Sequence, residues 1–185
     1  MKKMLMTMLA CVMIGCGGPT VETVPATPDP TDTAPMPGPL AGSPGVYAGT
    51  GWKLDLTNWP EADWRQVNMH PHRPGMRALV LRAEAAQTLL TVVQFDSTET
   101  LTNFASEKRA QMLNEGFTIA WDNAVIRDGV ESFELETTTG PATMWVAFFT
   151  TGKHAFVLSC GGETEVKSKH EPICDSAIRR FQITE

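Results

Sequence analysis

Basic residues are scarce in this chain of 185 residues: 15 lysines and arginines face 21 aspartates and glutamates, for a formal charge of −6. Nucleic-acid phosphate is bound by an excess of positive charge, so this balance argues against a nucleic-acid partner. The same scarcity leaves no polybasic patch to hold the chain on an anionic membrane surface. The amino-terminal apolar run is short as well. Met4 to Ile14 is uncharged over 11 residues, whereas a helix that spans a bilayer needs about 20. G-x-S-x-G, H-E-x-x-H and a phosphate-binding loop are all missing, and Gly161-Gly162 alone reads as a turn. With no catalytic template met, the expectation is a protein that is not an enzyme and that needs no cofactor. Cysteines number four, and no aromatic residue precedes Tyr47, after which come five tryptophans and eight phenylalanines. A core can therefore form only in the later part of the chain, which has room for one domain.

What is present begins with Lys2 and Lys3 ahead of the apolar run, the layout of a signal peptide. Met13-Ile14-Gly15-Cys16 resembles the lipobox of bacterial lipoprotein signal peptides, with Met13 where leucine is commonest. In that family the cysteine thiol takes up diacylglycerol, the signal is cut before it, and the new amino terminus is acylated, so the resemblance implies palmitate-class chains on Cys16. By that match residues 1–15 are the signal peptide and Cys16 is the lipid anchor and first mature residue. Two or more acyl chains hold a protein stably, so no other membrane contact is needed. Gly17 stands where an inner-membrane retention signal would place aspartate, which points to a cell-envelope protein of the outer membrane.

Residues 16–46 read as the anchor cysteine and a tether. Eight of the 13 prolines fall in this stretch, from Pro19 to Pro44, with no aromatic and no basic residue. Such a composition buries too little apolar surface to offset the entropy of ordering. At about 3.1 Å per residue the tether reaches at most about 90 Å.

Residues 47–185 form the globular domain. Trp52, Leu54 and Leu56 alternate in Gly51 to Leu56, a strand signal, and Ala78 to Ala83 and Thr88 to Phe95 read as a hairpin turning at Glu84 to Gln87. Thr100 is placed to cap a helix from Leu101 to about Glu115, which Gly116 ends. Strands return from Phe117. Asp128-Gly129 is a turn, and Phe133 and Leu135 oppose Glu134 and Glu136, which predicts a strand with one wet face. Ala142 to Thr150 is apolar on both faces and belongs in the middle of a sheet, followed by Lys153 to Cys160. A closing helix is predicted from Pro172 to Arg180, with proline in its first turn. The sum is an α+β domain, an antiparallel sheet flanked by helices.

The helix "TLTNFASEKRAQMLNEGF", the meander in which "RDGVESFELET" leads to "MWVAFFTTGKHAFVLSC", and the closing "AIRRFQI" together resemble the superfamily of the photosystem subunit PsbP and the bacterial DcrB-like lipoproteins. The resemblance is one of pattern and covers nearly all of Gly51 to Ile183. It implies a sandwich of helices on an antiparallel sheet and an accessory, binding role without catalysis. Fold alone transfers little function, since members serve unrelated partners.

Four features are candidates for chemistry. Cys160 and Cys174 form an even pair in an oxidising compartment, most simply a disulfide closing a loop of 15 residues; the alternative makes them metal ligands with His170, joined by His154. His70 and His72 flank a proline, beside Met69 and Met76, and read either as a copper or zinc site or as a solvated loop. Trp59 and Trp64 lie in the loop-like "NWPEADWRQ", where one can be exposed for binding, whereas Trp52, Trp121 and Trp145 fit core positions. Glu134 and Glu136 share a strand face and read as its wet side. The expected function is a lipid-anchored envelope protein whose domain binds another envelope protein through the surface of Trp59, Trp64, His70 and His72. A small-ligand or metal carrier using that histidine loop is the alternative.

Overall fold

Closely spaced β-prone runs joined by tight turns can pair only antiparallel, and every described strand does. The computed structural model describes residues 37–42, 45–57, 64–67 and 76–184. A small sheet runs in the order β1 (Gly38–Pro39), β2 (Val46–Gly49), β3 (Trp52–Asp55), β11 (Phe181–Ile183). A seven-stranded sheet runs β4 (Trp64–Gln66), β5 (Met76–Ala83), β6 (Thr88–Asp96), β10 (His154–Glu163), β9 (Ala142–Thr150), β8 (Val130–Thr139), β7 (Thr118–Arg127). Helix α1 (Leu101–Asn114) follows β6, and helix α2 (Lys167–Arg179) follows β10 through a single 3-10 turn, Thr164–Val166.

The expected α+β architecture of helices on antiparallel sheet is what forms. Thr100 caps α1 by accepting from the Asn103 N–H, and Gly116 follows the helix at φ +87°, a left-handed position that a side chain would strain. The buried side of α1, Phe104, Ala105 and Met112, packs on Leu135, Val146 and Phe148 from one face of the large sheet. Small sheet and α2 together cover the opposite face, where Trp52, Leu54, Cys174, Ala177 and Phe181 meet Leu81, Leu90, Trp145 and Phe156. Strand β9 lies between β8 and β10 and is buried on both faces from Ala142 to Phe149, as its unbroken apolar run predicts. Trp52 is 1% exposed; its indole N–H donates to Gln94 Oε1 at 3.2 Å and its ring stacks on Phe181.

Four expectations are corrected. The closing helix begins at Lys167, so Pro172 lies inside it. Proline there forgoes one backbone bond, but Cys174 on the same helix is tied covalently to β10. Glu134 and Glu136 are not a wet face: they are 2% and 8% exposed, because α2 closes over that side of β8 and supplies Lys167. Trp121 is not core, being 42% exposed on an edge strand. The register slips between Ile119 and Trp121, so strict alternation fails. Ile119 packs toward α1, while Trp121 faces the other side with Glu136. Finally, Gly38 and Pro39 of the tract read as tether pair with Ala48 and Tyr47 as the outermost strand of the small sheet, where proline is tolerated.

Candidate functional site

Strands β7 and β8 meet at the Asp128-Gly129 turn, and their side facing α2 carries Trp121, Arg127, Glu134 and Glu136. The helix brings Lys167, Glu171, Pro172 and Asp175 to the same place. Between them lies a cleft of about 410 Å³, lined also by Leu135, Trp145, Val146 and Ile178. Arg127 donates twice to Glu134, Nε to Oε1 and Nη2 to Oε2, each at 2.7 Å. The Ser132 hydroxyl lies 3.1 Å from the same carboxylate, and Asp175 Oδ1 is 3.7 Å from Arg127 Nη2. Hydrogen bonding to Glu134 raises the pKa of Arg127 above its ordinary value, with further help from the Asp175 charge. One rank along the strand, Glu136 accepts from the Trp121 indole at 3.2 Å and from the Lys167 ammonium, and that ammonium sits 5.7 Å above the Trp145 ring.

This arrangement can bind; its ion pairs are satisfied internally, and its aromatic ring is held in place at the rim by a hydrogen bond. Tryptophan fixed by its own N–H exposes a broad apolar face at low entropic cost, which suits an interface.

Those of the residues expected to act that are among the described residues fall elsewhere. Cys160 and Cys174 form a disulfide, with Cα atoms 5.3 Å apart, that pins α2 to β10. His170, the third member of the alternative ligand set, is fully buried one turn before Cys174, with Nδ1 2.7 Å from Thr88 Oγ1. His154 is at the far end of β10, 3.3 Å from Asp96, so these four side chains do not converge with free sulfurs. Trp64 opens β4 opposite Ala83 and is half-buried against the core. Met76 starts β5 and is buried. Cys16, Trp59, Met69, His70 and His72 lie outside the described residues.

Sequence reasoning passed over Arg127, Lys167, Glu171 and Asp175. One signal was available: with the turn at Asp128-Gly129, Arg127 and Glu134 fall on the same face of the hairpin with opposite charge. The helical members became part of the site only through a packing that sequence periodicity does not encode.

No family model matches the sequence, and no curated protein does. Solved structures do. The cyanobacterial PsbP of Synechocystis superposes with a TM-score of 0.57 at 17% identity, over 75% of this chain and 91% of that one. The fold is PsbP-like. A protein of unknown function from Pseudomonas aeruginosa follows with a TM-score of 0.47 at 11% identity, over 66% of this chain and 97% of that one. One from Bacteroides thetaiotaomicron gives 0.41 at 10%, over 73% and 46%. At such identity the PsbP-like likeness concerns fold, and the cleft must be argued from its own residues.

Proposed function

We propose that the chain is a lipid-anchored cell-envelope protein whose PsbP-like domain is a non-catalytic accessory module that docks another envelope protein along strand β7. The observation that carries this reading is the asymmetry of the large sheet. One edge is β4, three residues long; the other is β7, ten residues long, with no fully buried residue and with Trp121 and Ile126 exposed at 42% and 74%. Past the bulge the strand is regular from Trp121 to Arg127, and among the described residues no strand pairs with its outer side, so it offers backbone groups to an incoming strand. Cys16, read as the anchor, keeps the domain at a membrane surface, and no helix among the described residues is long and apolar enough to cross one.

Photo-crosslinking in living cells tests this. A photoreactive residue at Asn123 or Ile126 on β7 should trap one defined envelope protein, whereas the same residue at Asn103 on α1 should not. An identical set of products from both positions, or none from β7, would remove the reading.

A further inference from the structure

We infer that the cleft beside β7 receives a lysine or arginine side chain carried by an extended partner segment that adds to the open edge of that strand. This rests on the docking reading above and names the chemistry of the partner. The cleft adjoins the open edge, because Trp121 and Arg127 of β7 are themselves part of its lining. A segment paired with β7 points every second side chain to the α2 side, where the cleft lies.

The sign of the guest follows from which charges are already engaged. Glu134, Glu171 and Asp175 line the cleft with Arg127, while Lys167 beside them is bonded to Glu136. Both carboxylate oxygens of Glu134 hold Arg127, so the guanidinium is committed and poorly placed to receive an anion. Asp175 is shared between Arg127 and Arg179. Glu171 is exposed at the mouth and makes no ion pair among the described residues. A carboxylate open to solvent in the same cleft as a fixed, exposed indole suits a cation, which gains from both the charge and the ring face. The fold already uses this mode once: the Lys167 ammonium lies over Trp145 while bonded to Glu136. Trp121 and Glu171, which line the same cleft, offer a ring and a carboxylate with the cation still to be supplied. A second copy of the chain is a poorer occupant, since edge-to-edge pairing of two β7 strands would bring two net-negative clefts together.

The test uses three acetylated nine-residue peptides with one alternating valine–threonine frame and arginine, glutamine or glutamate at the centre. Each is titrated into the full chain while the Trp121 indole N–H resonance, assigned with Trp121→Phe, is followed. The arginine peptide should bind about tenfold more tightly than the glutamine peptide, and the glutamate peptide more weakly than either. Glu171→Gln with Asp175→Asn should reduce the arginine preference to about twofold or less while leaving the far-ultraviolet dichroism unchanged. Equal binding of arginine and glutamine peptides would overturn the cation site and leave edge docking standing. A preference that survives the double substitution would overturn the assignment to these carboxylates. No perturbation of Trp121 or of β7 amides by any peptide at millimolar concentration would overturn the docking reading itself, and so would a shift produced by raising the protein concentration alone, the mark of self-association.

Discussion

At the scale of single residues, the most exacting arrangement is Arg127 with Glu134. The Glu134 side chain is 3% exposed, and its charge is tolerable because two hydrogen bonds from Arg127 and one from Ser132 reach it. Removing one partner leaves a buried charge uncompensated. Arg127→Met should therefore cost about 3 kcal/mol in urea unfolding, and Arg127→Met with Glu134→Leu should cost less than the single substitution. Additive costs would mean the two groups are uncoupled. His170 supplies a pH dependence. Burial, outweighing the opposing pull of Glu163, holds its pKa below the ordinary 6.5. Below pH 6.5 the unfolded chain then binds more protons than the folded one. Stability should be fully present above about pH 6.5 and decline as pH falls toward the folded value. His170→Asn should flatten that slope, read by thermal unfolding across pH 5 to 8, and an unchanged slope would contradict the account. Gly162 abuts this histidine, since a Cβ there would lie 2.6 Å from His170 Cε1. Trp121 marks where residue-level reading fails. Alternation assigns a side chain to a face, but a one-residue bulge reverses the face, and nothing in the local pattern announces it.

At the scale of elements, α2 is the decisive piece. Its buried residues, His170, Ile173, Cys174, Ala177 and Ile178, recur at helical spacing, yet the proline in their midst suggests a later start than the true one at Lys167. Attachment at both flanks overrides the local preference: the 3-10 turn leads directly from β10, and the disulfide bridges the same two elements. Opening that bridge with a reductant, or by Cys160→Ala with Cys174→Ala, should lower stability by about 3 kcal/mol for a loop of this length, measured by chemical denaturation. Equal midpoints with and without reductant would show that the packed helix holds without it. By contrast, α1 and the β5–β6 hairpin were legible in advance, because a cap, a glycine stop and a short turn are local signals that packing does not overrule.

At the scale of the whole molecule, the proposed anchor would hold the domain at the membrane while the domain does the binding. Cys16→Ser should move the protein from the membrane fraction to the soluble fraction and abolish incorporation of labelled palmitate, with the unfolding transition of the domain unchanged. Continued membrane association would place the anchor elsewhere. Of the surface expected from Trp59, Trp64, His70 and His72, only Trp64 is among the described residues, and it and the cleft stand at opposite edges of the large sheet, since β4 and β7 are its two outermost strands.

Sequence alone determined the antiparallel α+β class, the central position of Ala142 to Thr150 and the capped helix. Each follows from composition, short-range periodicity or turn chemistry, which act within a few residues along the chain; the pairing of Cys160 with Cys174, one of two readings of the sequence, was decided by the structure. The tertiary structure alone decided that Glu134 and Glu136 are buried, that Trp121 is exposed and that Glu171 and Asp175 of α2 stand across a cleft from β7. Those facts depend on which strand ends the sheet, where the register slips and which helix covers which face. All three are set by the free energy of packing distant segments together, to which local sequence pattern is blind.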